Sequence, residues 1–123
     1  MVCFSGDGAF YYHLTELETQ RRRQIPLVTV INNNSGFGQG VYKVNGLYEG
    51  RSGSPEELNR FGPTDFAAIA RDFGIDGARI EDPADLAPAL KIAVTYKNVR
   101  TCQFCCAVAL FAAICEQQPT VDT

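Results

Sequence analysis

Five consecutive residues, Leu27-Val28-Thr29-Val30-Ile31, carry no charge and show no alternation of polar with apolar side chains. A strand of that kind has to be covered on both faces, which is the situation of a parallel sheet flanked by helices. Parallel neighbours cannot be joined by a tight turn and need a crossover of a dozen or more residues. The segment upstream supplies one. Val2 to Ser5 reads as a short buried strand, and Phe10, Leu14 and Leu17 fall at helical spacings of four and three. Pro26, which lacks an N–H and restricts Ile25, stops that helix near Gln24. Strand, helix, strand is a βαβ unit, so the predicted fold class is α/β, a mostly parallel sheet with flanking helices.

The rest of the chain extends this pattern. Asn32 to Gly40 is rich in Asn and Gly and is expected to be a loop, and a second polar segment from roughly Asn45 to Pro63 reads as a long surface excursion. Thr64 or Asp65 can cap a helix with Phe66, Ile69, Ala70 and Phe73 on one face and Gly74 at its end. Gly77 to Ile80 supplies another short strand. Asp82-Pro83-Ala84-Asp85 is a good helix start, although Pro88, inside that helix, predicts a kink or a later beginning. Beyond Ala93 the pattern loses coherence. Phe104 to Cys115 is a twelve-residue apolar run, too short to cross a bilayer, and reads as a buried helix or strand. The expected organisation is a domain over residues 1–94 followed by an atypical apolar, cysteine-rich tail over 95–123.

Charge and cysteine usage narrow the partners. With 11 Lys plus Arg against 14 Asp plus Glu, the net charge is −3, so nucleic acid is not an expected partner, and neither is a membrane. Arg21, Arg22 and Arg23 sit where a helix C-terminus welcomes cations. Four of the five cysteines crowd into the last quarter, which is not the spacing of a secreted disulfide framework. The CxxC of Cys102 and Cys105 lies in an apolar run without histidine, and packed thiols are the better reading than a zinc site. No basic n-region or long apolar h-region follows Met1, so the expected compartment is the cytoplasm.

Chemistry concentrates at Gly6-Asp7-Gly8, on a strand-to-helix junction. Flanking glycines let backbone N–H groups approach a ligand, and a helix N-terminus suits an anion such as phosphate. Asp7 would repel phosphate unless a divalent cation lay between them, which suggests a metal-bridged diphosphate. Mg²⁺ wants six hard oxygens, so one carboxylate is not enough. The second strand of a βαβ unit emerges at the same sheet edge as the first. An Asn34 amide oxygen and a carbonyl turned inward at Gly36 are therefore placed to contribute. The single histidine, His13, reads as a partly buried or solvent-facing helical residue with no acid or nucleophile beside it.

Gly6-Asp7-Gly8, the intervening helix and strand, and Asn33-Asn34-Ser35-Gly36-Phe37-Gly38 resemble the thiamine diphosphate motif, which opens with GDG and closes with paired asparagines. Together with Glu16-Leu17-Glu18-Thr19, Asp65-Phe66-Ala67 and Ile80-Glu81-Asp82-Pro83, they are similar to the C-terminal cofactor-binding domain of the acetolactate synthase, pyruvate oxidase and benzoylformate decarboxylase family. The similarity spans roughly residues 2 to 94. It implies Mg²⁺ held by Asp7, Asn34 and the carbonyl of Gly36, diphosphate met by the amides of Gly8 and Ala9, and a pocket completed by Gly6, Phe37 and Gly38. The cofactors implied are thiamine diphosphate and Mg²⁺. The implied chemistry is decarboxylation of a 2-oxo acid, or carboligation, through the cofactor's thiazolium carbanion.

Two other readings stand beside it. A nicotinamide-binding Rossmann unit expects G-x-G-x-x-G, and Tyr11 occupies the third glycine position. The chain is also expected to be a partial domain. Enzymes of the family carry a pyrimidine-binding domain with an activating glutamate and assemble as oligomers, so a 2-oxo acid substrate is implied only once such a partner completes the site. Without one, the expectation is a non-catalytic fragment that binds Mg²⁺ and diphosphate.

Overall fold

The computed structural model describes residues 1–95 and the backbone of a strand at 102–107. Strands β1 (Val2–Gly6), β2 (Val28–Asn33), β3 (Asp76–Ile80) and β4 (Cys102–Ala107) form one sheet. Every pairing is parallel and the order is β1-β2-β4-β3. The α/β architecture is the one the unbroken run at 27–31 demands, since Val28, Thr29, Val30 and Ile31 are all buried.

Helices cover the sheet from both sides. Ile31 packs with Phe10, Leu17, Phe66, Ala67, Ala70 and Ile75, a core formed with helices α1 (Asp7–Tyr11), α2 (Glu16–Arg22) and α5 (Phe66–Asp72). On the opposite face Val28, Val30 and Ile80 meet Ala93 of α6 (Pro83–Thr95). Edge strand β1 is less covered. Val2 and Phe4, register partners of Val28 and Val30, remain exposed, Phe4 by 71%.

Several expectations need correction. The single helix expected to run to Gln24 is two helices, with a turn at Tyr12–Thr15 closed by bonds three residues apart, His13 N–H to Phe10 O at 2.9 Å and Glu16 N–H to His13 O at 2.9 Å. Consecutive aromatic residues, His13 and β-branched Thr15 are poor helix formers, so the tighter turn competes there. The second helix ends where expected. Gln24 takes φ 55°, the Ile25 N–H reaches Gln20 O at 3.0 Å, and the Gln24 N–H reaches Arg21 O. That is a Schellman cap with glutamine in the place glycine favours.

The loop expected from Asn32 begins later, because Asn32 and Asn33 pair with Cys106 and Ala107 and so extend β2. The surface excursion is partly helical, with α3 (Val41–Tyr48) running into its start and α4 (Glu56–Asn59) inside it. Asp65 caps α5 through a 2.8 Å bond from the Ala68 N–H, and Gly74 closes that helix at φ 75°. Helix α6 starts at Pro83, where Asp82 accepts from the Ala84 N–H at 2.8 Å, and it runs through Pro88 rather than starting after it. The apolar run opens as strand β4, and its remainder lies outside the described residues, as do the side chains of Cys102, Cys105 and Cys106 and all of Cys115.

Candidate functional site

Strands β1 and β2 are in register from Val2–Val28 to Gly6–Asn32, so their carboxyl ends finish side by side. The chain leaving β1 enters α1 at Asp7, and the chain leaving β2 turns back over it through 34–40. Between them lies an open cavity of about 860 Å³. All eight residues singled out from the sequence line it: Gly6, Asp7, Gly8, Ala9, Asn34, Gly36, Phe37 and Gly38. Phe4, Tyr12, His13, Asn32, Gln39 and Gly40 also contribute, and nothing in their types marked them for this role. The alternation of β1 and the pairing of Asn32 with Gly6 were the available signals. His13 is exposed in the turn between the two helices.

The return loop is built from asparagine side chains acting on their own backbone. Asn33 Oδ1 accepts from the Ser35 N–H at 3.1 Å, and Asn34 Oδ1 accepts from the Gly36 N–H at 3.2 Å. Such bonds two residues ahead are the reason asparagine favours turns. They carry Ser35 into the left-handed region at φ 56°. Asn33 also anchors the loop to the next segment, its Nδ2 donating to Thr64 O at 2.9 Å.

Asp7 is the most consequential member. The residue is 2% exposed, and Oδ2 accepts from the Gly36 N–H at 3.0 Å. One backbone N–H therefore draws the Asp7 carboxylate and the Asn34 amide oxygen to the same point. None of the ion pairs among the described residues involves Asp7. A buried carboxylate without a cationic neighbour is expensive unless a metal completes it. The donors gathered here, the Asp7 carboxylate and the Asn34 amide oxygen, are hard oxygens, a type that suits Mg²⁺ better than zinc.

Close approach constrains two of these glycines, Gly36 against backbone and Gly8 against a side chain. A Cβ on Gly8 would sit 2.6 Å from the Phe37 ring, which closes over the first turn of α1. A Cβ on Gly36 would overlap the Asn59 carbonyl oxygen. Asn32 differs from the other asparagines, because its Oδ1 is buried and has no hydrogen-bond partner among the described residues. No helix among the described residues is long and apolar enough to cross a membrane.

Comparison with known proteins places the chain in a family. The family model for the thiamine pyrophosphate enzyme C-terminal TPP binding domain matches residues 1–104. The chain is 35% identical over 94 residues to a probable acetolactate synthase large subunit of Methanococcus aeolicus, covering 76% of this chain and 15% of that protein. It is 36% identical over 95 residues to the acetolactate synthase large subunit of Parasynechococcus marenigrum, covering 74% and 15%. Among solved structures, a thiamine diphosphate-dependent 4-hydroxybenzoylformate decarboxylase of Rhodococcus jostii superposes with a TM-score of 0.69 at 24% identity, over 86% of this chain and 19% of that one, a likeness of fold. The chain thus spans about 15% of the length of these acetolactate synthase relatives.

Proposed function

This chain belongs to the family of C-terminal thiamine pyrophosphate-binding domains of thiamine pyrophosphate enzymes, and on that premise we propose that its cavity anchors the cofactor's diphosphate through Mg²⁺. The observation that carries the reading is the convergence of the buried Asp7 carboxylate and the Asn34 amide oxygen on the Gly36 N–H. Two hard oxygens already held together, one of them a buried anion without a counter-charge among the described residues, form the protein share of a Mg²⁺ shell. The Gly36 carbonyl is the third protein ligand.

The remaining residues supply binding and shape. Gly6 is the helix N-cap and offers no side-chain cap to the first turn of α1, which leaves the amides of Gly8 and Ala9 to meet phosphate oxygens. Phe37 and Gly38 line the same wall. When bound, thiamine diphosphate supplies an electron sink for decarboxylation of a 2-oxo acid or for carboligation. This chain's own share is to hold and orient it. An acetolactate synthase-like reaction requires a pyrimidine-binding domain carrying the activating glutamate, from another part of a longer chain or from a partner in an oligomer. The same reading sets the protein in the cytoplasm, where a thiol such as exposed Cys3 stays reduced.

Calorimetric titration of thiamine diphosphate into the purified chain, with and without Mg²⁺, tests the anchor. Binding should require Mg²⁺, and Asp7→Asn, which keeps the shape and an acceptor for the Gly36 N–H, should remove the Mg²⁺-dependent part. Binding indifferent to Mg²⁺, or an Asp7→Asn variant as tight as the unmodified chain, would refute it.

A further inference from the structure

The segment Asn59-Arg60-Phe61 lies well downstream of the asparagine loop, yet it forms a short antiparallel bracket on that loop. Gly36 and Arg60 are bridge partners. The Phe37 N–H donates to Asn59 O at 2.8 Å, and the Phe61 N–H donates to Ser35 O at 2.8 Å. Both chain neighbours of Gly36 are thus pinned, one through its N–H and the other through its carbonyl. Asn59 is buried and tied down by its own Nδ2, which donates to Pro55 O at 3.2 Å. The bracket also explains Gly36, since the close approach of the Asn59 carbonyl leaves no room for a Cβ.

Phe61 extends the bracket to the other wall of the cavity. Its ring stands edge to face on Phe37, with centroids 4.8 Å apart at 76°, and on Tyr11 of α1, at 5.3 Å and 84°. Phe37 belongs to the loop that carries Asn34 and Gly36, and Tyr11 to the helix that begins at Asp7. Tyr11 in turn packs on Phe66 at 5.1 Å, and its hydroxyl meets the Thr64 hydroxyl. One side chain therefore touches both elements that contribute oxygens to the site.

We propose that Phe61 is a positioning residue: resting on the Mg²⁺ and diphosphate reading above, it holds the loop carrying Asn34 and Gly36 in register with Asp7. Partners that orient metal ligands without touching the metal typically affect affinity by about 10–100-fold. Phe61 shares no atom with the cavity lining, so its influence is indirect.

The test is a Mg²⁺ titration of the chain at fixed thiamine diphosphate, followed by calorimetry, with thermal stability measured in parallel. Phe61→Ala should weaken the Mg²⁺ response by about tenfold or more, and Phe61→Tyr should restore it to within about twofold. Ile69→Ala, a truncation of a partly buried residue that packs against the core and does not line the cavity, controls for stability alone and should leave the Mg²⁺ response within about twofold. Amide exchange gives a metal-free readout, because the Phe37 N–H should exchange faster in Phe61→Ala than in Ile69→Ala. If Phe61→Ala does not fold, Phe61→Leu keeps apolar volume without the ring edges and should still weaken the response by roughly threefold. An unaltered Mg²⁺ response in Phe61→Ala or Phe61→Leu, or equal losses in Ile69→Ala, would overturn the positioning role alone. A Mg²⁺-indifferent unmodified chain would overturn the cofactor reading and this role with it.

Discussion

Among the described glycines, Gly77 has backbone closest to where a side chain would go. It lies in β3 beneath α5, and a Cβ added there would overlap the Ala67 carbonyl oxygen and stand 2.9 Å from its carbon and 3.0 Å from the Ala67 Cα. All three are backbone atoms, so no rotamer change relieves the overlap. Restoring ordinary contact requires α5 to withdraw by about 1 Å, and attraction between packed atoms falls off steeply over that distance. The face that would open holds Phe66, Ala67 and Ala70, each 1% exposed or less. Overpacking costs about 1–3 kcal/mol in cores that yield, and the rigid obstacle here sets the expectation near 3 kcal/mol. Gly6→Ala in β1 is the matched control. No atom lies within 4 Å of its Cβ, and the substitution should be neutral or stabilise by about 0.5 kcal/mol. Urea denaturation compares midpoints at unchanged slope, and in thermal melts the Gly77→Ala loss corresponds to roughly 10 °C. A Gly77→Ala midpoint indistinguishable from that of Gly6→Ala would refute the close-approach argument.

Two further changes should raise stability. Pro88→Ala restores an N–H inside α6 and removes the ring from the preceding turn, so the urea midpoint should rise by the equivalent of about 1–3 kcal/mol; a fall would show that the ring is held by packing. Gln24→Gly relieves the left-handed cap of α2 and should add about 0.5–1 kcal/mol, unless the Gln24 Nε2 bond to Arg21 O outweighs the backbone term, in which case the melting temperature drops.

What could be read from the sequence was local. The buried run at Val28–Ile31 announced a parallel sheet, Asp65 and Gly74 marked both ends of α5, and Asp82 marked the start of α6, because each depends on bonds to residues a few positions away. The cavity gathering Asp7, Asn34 and Gly36 followed from one further rule, that strands of a βαβ unit finish at the same edge. Other features escaped for the complementary reason. The Asn59–Phe61 bracket consists of two backbone bonds to residues far back in the chain, and any residue type can make those. Helix α3 buries none of its residues and so leaves only a weak periodic trace. The turn at Tyr12–Thr15 turns on a small difference between three- and four-residue bonding that spacing alone does not resolve.

The strand order β1-β2-β4-β3 makes completion of the sheet depend on a strand distant in sequence from its neighbours. Among the described strands β4 comes last in sequence but lies between β2 and β3, so these two share no hydrogen-bonded neighbour strand until residues 102–107 are in place. Without β4 in place, the β1–β2 pair and the single strand β3 would each present an unpaired edge. Contacts between residues so far apart pay their loop-closure entropy before they return any stability, which makes them slow to form. The sheet is complete only once β4 is inserted, and before that insertion the unpaired edges are open to pairing with other chains.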